Sequence, residues 1–285
     1  MPRIEVNGIG VEYELHGPEG GEPIALTPGG RFSMETPGLR ELAIELGKMG
    51  RRALIWDRPN CGLSDVFLDC ANESEMHAHT LIGLIQALGL GPVTLAGGSA
   101  GSRVTLIAAS RHPQAVKKVA LWWITGGTIG LTGLIGVYCG GGAAAAAMGG
   151  MEAVFNDPAW MEQASRNPRA RETLLAQDKT AFIAKMQEWA DFYIPSPDSP
   201  VPGMSPADFT KLTMPVMILQ NGLSDVHHTR PTTEWVHRII PHSELRDPPW
   251  GDEEWNTRAS KALAGNGGLF EGWPALAPIL HGYTD

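Results

Sequence analysis

The chain has 285 residues, enough for one large domain with a sizeable core. Its 22 basic against 31 acidic residues give a net charge of −9, and with no basic cluster this speaks against nucleic acid or an anionic membrane as the main partner. Three cysteines, Cys61, Cys70 and Cys139, are odd in number and lack metal-type spacing, which speaks against a disulfide framework and for reduced thiols in a cytoplasmic protein.

The opening Met1-Pro2-Arg3-Ile4-Glu5 has no basic start followed by an apolar run, so no secretory signal is expected. Ile4 and Val6, then Val11, Tyr13 and Leu15, alternate with polar residues around Asn7-Gly8 and predict a β-hairpin. Residues 23–27 read as a third strand running into Pro28-Gly29-Gly30-Arg31. Leu39, Leu42, Ala43, Leu46 and Met49 have helical spacing, and the unbroken apolar run Ala53-Leu54-Ile55-Trp56 suits a strand buried on both faces of a parallel sheet. After the turn-rich loop 57–65, a helix is predicted from about Glu73 to a stop at Gly89-Leu90-Gly91-Pro92.

A short apolar run, Val93 and Leu95, then leads into Gly97-Gly98-Ser99-Ala100-Gly101, and helical spacing resumes at Val104. Ser99 is thereby expected on a sharp strand-to-helix turn, where small neighbours let strand and helix pass closely and the hydroxyl stands clear of the main chain. The plainer alternative is a Gly-rich turn without chemistry. Residues 119–123 make the next buried strand.

The alternation then stops. Residues 126–208 are expected to form a helical lid, with helices near 159–165, 169–176 and 180–193 and a Pro/Ser-dense loop at 195–206. The charge-free stretch 128–150 is Gly- and Ala-rich, poor in bulky residues for lipid, and reads as buried or lid-lining rather than as a membrane span. Val216-Met217-Ile218-Leu219 resumes the strands, followed by a helix at 232–240, a weak strand at 244–246, a helix at 255–263 and a Gly/Pro-rich tail. The predicted architecture is α/β: a mostly parallel eight-stranded sheet flanked by helices, with a core of residues 1–125 and 209–285 and the lid inserted after the sixth strand.

This order resembles the α/β-hydrolase fold over nearly the whole chain, with the small-residue turn as its nucleophile elbow. Pro28-Gly29-Gly30 stands where that family has His-Gly and an oxyanion-hole residue. The resemblance therefore implies the amides of Gly30 and Ala100 as paired donors. Asp57-Arg58-Pro59-Asn60-Cys61-Gly62-Leu63-Ser64-Asp65 resembles the family's Asp-x-x-Gly-x-Gly-x-Ser loop, with Asn60 in place of the first glycine. Asp225 follows the strand after the lid, where the family carries its triad acid. The family's histidine follows the last strand, yet residues 247–255 hold no histidine.

A serine hydroxyl is a poor nucleophile without a base. His227 and His228 lie just past Asp225, and His228 is favoured because Asp-x-x-His sets it about one helical turn from the carboxylate. Two further candidates are His281, folding back from the tail, and Asp252 or Glu253, carboxylates that Asp225 would repel. Asp225, His227 and His228 also admit a minor metal-site reading, but adjacent side chains rarely face one ion and no metal is expected. Trp122, Trp123, Trp250, Trp255 and Phe32 are placed at the site edge, where they suit an apolar or aromatic substrate, and Arg31 is a candidate for binding a substrate carboxylate.

The expected function is hydrolysis of a small apolar or aromatic ester, lactone or carbon–carbon-linked ketone, without a cofactor. Ser99 would attack, helped by Asp225 and His228 or His227, on a small-molecule substrate, with a homodimer admitted as the assembly. A cofactor-independent lyase or oxygenase, or a binding protein that kept the pocket without turnover, are the alternatives.

Overall fold

A computed structural model describes residues 1–284. Strands β1 (Arg3–Val6) and β2 (Ile9–His16) form the predicted hairpin, Ile4 opposite Val11, across an Asn7-Gly8 turn with both residues at positive φ. With β3 (Pro23–Thr27), β4 (Arg52–Trp56), β5 (Val93–Gly98), β6 (Val116–Trp122), β7 (Val216–Leu219) and β8 (Glu244–Arg246) they make one eight-stranded sheet. Its order is β1-β2-β4-β3-β5-β6-β7-β8. β2 meets β4 antiparallel and every later pairing is parallel, as the helix-linked apolar runs require.

Because side chains alternate along a strand, each central strand feeds two cores. Leu54, Leu95, Val119, Leu121 and Ile218 pack on one face beneath α2 (Glu73–Ala87) and α3 (Ala100–Arg111). Ala53, Ile55, Ala96, Ala120 and Met217 pack on the other beneath α1 (Leu39–Lys48). Complete burial of a side chain such as Leu54 or Ile55 contributes roughly 1.5–3 kcal/mol.

Between β6 and β7 the chain is helical: α4 (Gly127–Leu134), a π turn over Ile135–Gly140, α5 (Gly141–Gly149), α6 (Pro158–Arg166), α7 (Pro168–Leu175), α8 (Lys179–Asp191) and the short α9 (Pro206–Phe209). Asp157, Asn167 and Asp178 cap α6, α7 and α8 by accepting from backbone N–H groups. Trp160, Phe182, Met186 and Trp189 give this segment its own apolar cluster. The Gly-rich stretch is a continuous helix, Gly127–Gly149, long and apolar enough to cross a membrane by length and composition, with 33% of its most apolar window buried. The expectation of a buried or lid-lining stretch therefore needs dividing: Ile129 and Met148 are exposed, while Leu134, Val137 and Tyr138 face a cavity.

Helices α10 (Arg230–Ile239), α11 (Glu254–Leu263) and α12 (Ala277–Thr284) complete the chain. The tail is more than a Gly/Pro-rich ending: Trp273, Leu276 and Leu280 are fully buried in the core shared with α1. Few-residue apolar runs between glycines and prolines carry too little periodicity to reveal this from sequence.

Candidate active site

Ser99 sits between β5 and α3 with φ 57° and ψ −122°, one of the few non-glycine residues here at positive φ. Such a conformation strains the backbone and persists only where its surroundings hold it. They do so by crowding: a Cβ on Gly97 or Gly101 would collide with the Gly101 or the Thr27 carbonyl, so the elbow closes only with glycine at both places. The Ser99 N–H donates to the Trp122 carbonyl at 3.3 Å, and Ser102 Oγ donates to the Ser99 carbonyl at 2.6 Å.

The Ser99 hydroxyl is 2.9 Å from His228 Nε2. On the other side of that ring, His228 Nδ1 is 2.9 Å from Asp225 Oδ2. Asp225 Oδ1 accepts the backbone N–H groups of His227 and His228 at 2.9 and 2.8 Å, so its loop folds around the carboxylate. Asp225 and His228 are both buried, at 4% and 2% exposure, which limits competition from water for these bonds. A tautomer with its N–H on Nδ1, donating to the carboxylate, leaves Nε2 as an acceptor for the hydroxyl proton.

Indoles confine the imidazole. Trp123, at φ 49° directly after β6, lies nearly parallel to it at 5.9 Å between centroids, and Trp255 meets it edge-to-face at 4.4 Å. Helix α4 presses on the same loop: the Gly126 N–H donates to the His227 carbonyl, and a Cβ on Gly130 would stand 2.5 Å from that oxygen.

The other anticipated residues separate. His227 lines the cavity beside Trp255 while His228 takes the serine. His281 accepts from Arg51 Nε at 2.9 Å beside the start of β4, the sheet edge opposite Ser99. Asp252 pairs with Arg230 and Glu253 accepts from Ser224 Oγ, both at the surface, where they tie the loop after β8 to the Asp225 loop. Among the described residues no group of three or more His, Cys, Asp or Glu converges as metal ligands.

Gly30 lines the cavity with Ser99, and Ala100 opens α3 behind it. Arg31 also borders the cavity, but its guanidinium is buried, donates to Glu73 Oε2 at 2.9 Å and to the Tyr138 carbonyl at 3.2 Å, and stacks on Trp160 at 4.0 Å. Trp250 packs behind Trp123, outside the cavity lining.

The cavity measures about 640 Å³. Its wall is largely apolar and includes Phe32, Leu134, Val137, Met161, Trp255 and Phe270, with Glu35, Glu162 and Ser33 among the polar lining. Reading the sequence for motifs missed Leu134, Val137, Tyr138 and Phe270. The one available signal was the glycine spacing at 127, 130 and 133, which marks a helix face in close approach to a neighbour.

A family model described as alpha/beta hydrolase fold matches residues 35–122, the span from before α1 to the end of β6. Among solved structures, the chain is similar to the enol-lactonase of Burkholderia xenovorans LB400 at 17% identity and a TM-score of 0.59, covering 93% of this chain and 99% of that one. Est816, an N-acyl homoserine lactone degrading enzyme, gives 16% identity and a TM-score of 0.60 over 99% of this chain and 100% of its own. A meta-cleavage product hydrolase from Pseudomonas fluorescens IP01 gives 17% and 0.56 over 93% and 96%. Sheet order, the strained serine turn and these matches agree, and the chain has the α/β-hydrolase fold.

Proposed function

We propose that the protein is a serine hydrolase of small, largely apolar esters or lactones, with Ser99 as nucleophile, His228 as general base and Asp225 orienting and charge-stabilising the imidazole. The observation that carries this reading is the unbroken chain of contacts from Asp225 Oδ2 through the His228 ring to Ser99 Oγ, 2.9 Å at each step. In the reaction, Nε2 takes the hydroxyl proton as Oγ attacks the carbonyl carbon, and the protonated ring then delivers that proton to the leaving oxygen. The N–H groups of Gly30 and Ala100 receive the oxyanion, and water repeats the sequence on the acyl-enzyme.

The cavity wall supports an apolar acyl or alcohol portion, and the 126–208 helices act as its cap. An enol-lactonase, a lactone-degrading enzyme and a meta-cleavage product hydrolase of the same fold support cyclic esters and carbon–carbon-linked ketones as the first compounds to assay.

Incubation with an aryl phosphonate, followed by peptide mass spectrometry, is expected to modify Ser99, and Ser99→Ala is expected to abolish turnover of an aryl ester. Absence of label on a folded wild type, or undiminished turnover by the variant, removes Ser99 as nucleophile and leaves non-acyl chemistry or binding alone.

A further inference from the structure

The loop between β4 and α2 holds a buried cation for which the triad has no use. Arg58 is 1% exposed and makes no ion pair with any described residue. Burying a guanidinium without a carboxylate is costly, so what replaces the counter-charge is informative. Its Nη2 donates to two successive backbone carbonyls, Gly29 O at 3.0 Å and Gly30 O at 2.5 Å. These belong to the turn after β3 that borders Ser99: a Cβ on Gly29 would stand 2.6 Å from Ser99 Cβ.

Peptide geometry connects the two ends of this contact. The Gly29 carbonyl and the Gly30 N–H share one planar trans unit and point in opposite directions. Fixing that carbonyl on Arg58 leaves the Gly30 N–H on the far side of the turn, where Gly30 and Ser99 line the cavity and Arg58 does not. A cation bound to the carbonyl end also polarises the amide, making its N–H a stronger donor.

The rest of the loop braces the same turn. Asp57 Oδ1 accepts the Met34 N–H at 2.7 Å, and its Oδ2 accepts the Leu63 N–H at 2.8 Å.

We infer that Arg58 is a positioning residue for the oxyanion hole: its Nη2 holds the Gly29 and Gly30 carbonyls, aims the Gly30 N–H at the substrate oxygen and strengthens it as negative charge develops. The inference rests on the serine-hydrolase reading above. An aid to charge that exists only in the transition state raises the maximal rate and leaves ground-state binding unchanged.

The test measures Ser99 modification by a p-nitrophenyl phosphonate over a range of concentrations, giving a maximal rate and a half-saturating concentration. Arg58→Gln is expected to lower the maximal rate about tenfold with little change in half-saturation, less than direct loss of a donor because the effect passes through a peptide. Arg58→Lys, with the charge but a shorter reach, is expected between Arg58→Gln and wild type. A wild-type maximal rate in either folded variant, or a loss confined to half-saturation, overturns the inference. If Arg58→Gln does not fold, Arg58→Lys decides by the same criteria. A wild type that takes no label at Ser99 overturns the nucleophile reading and this inference with it. Label on wild type with unaffected Arg58 variants overturns this inference alone.

Discussion

Asp225 and His228 stand three residues apart in a single loop, yet their side chains meet at 2.9 Å because that loop wraps the carboxylate with the His227 and His228 N–H groups. The two side chains therefore move together, while the loop after β8 holds no histidine. An indole occupies the region instead: Trp255 of α11 packs on the His228 ring.

Asp225→Asn keeps the shape but places an amide where the carboxylate fixes the tautomer. Turnover of an aryl ester is expected to fall by about 10⁴ with little change in KM, in line with the cost of a misassigned histidine tautomer. Steady-state kinetics on the purified variant check this. A loss below tenfold would show that Asp225 does not orient the base.

The two histidine candidates at opposite ends of the sheet give opposite expectations. His228→Ala should remove nearly all turnover, by roughly 10³-fold or more. His281→Ala, altering a contact with Arg51 beside the start of β4, should leave kcat/KM within about twofold, inside the range for a substitution remote from the chemistry. Reversal of this order would move the base to the tail.

Gly130→Val drives a branched side chain into the His227 carbonyl, already 2.5 Å from where a Cβ would sit. The helix or the loop must shift, costing about 1–3 kcal/mol by overpacking. A lower thermal midpoint is expected together with a larger loss in kcat than His227→Ala produces, since the displaced loop carries His228. Wild-type activity in the valine variant would mean that α4 does not hold the base in place.

His77 is buried and its Nε2 donates to the Pro59 carbonyl at 2.9 Å. Burial first, then the charge of Arg58, holds its pKa well below the ordinary value of 6.5. In the unfolded chain His77 takes a proton below about pH 6.5 that the folded ring refuses, so its contribution to stability is present above that pH and lost as pH falls. Asp57 acts in the opposite sense. Burial pushes its pKa from 3.8 up to about 6, so the stabilisation belongs to the protonated form and is lost as pH rises through about 6. Thermal midpoints from pH 7 to 5 should fall less steeply for His77→Gln than for wild type. Parallel curves would assign the acid sensitivity elsewhere.

Trp255→Ala removes a ring that both walls the cavity and confines His228. KM for an aryl ester is expected to rise about tenfold, the scale of losing one buried aromatic contact. Trp250→Ala, behind Trp123 and outside the cavity lining, should change KM much less. Equal effects would show that the cavity wall extends beyond Trp255.

Much of this molecule is legible in one dimension. The alternating apolar runs place β3 to β7, because a strand buried on both faces must be apolar along its length. The small residues around Ser99 mark the elbow, because only glycine allows β5, α3 and the Thr27 carbonyl to crowd one turn. The contact of Asp225 with His228 also has a local basis, since Asp-x-x-His brings two side chains together whenever the backbone curls.

What folding alone decided are the relations across long separations. Ser99 and His228 lie 129 residues apart, and only the parallel neighbours β5, β6 and β7 bring their C-terminal ends to one edge. The cavity wall combines the turn after β3, helix α4, α11 and the tail, whose contacts follow from packing of whole elements rather than from any local period. The guanidinium of Arg31, anticipated at a substrate carboxylate, is instead held by Glu73, Tyr138 and Trp160, three partners supplied by separate segments. A side chain's type sets what it can bind, and tertiary structure sets which partner reaches it first.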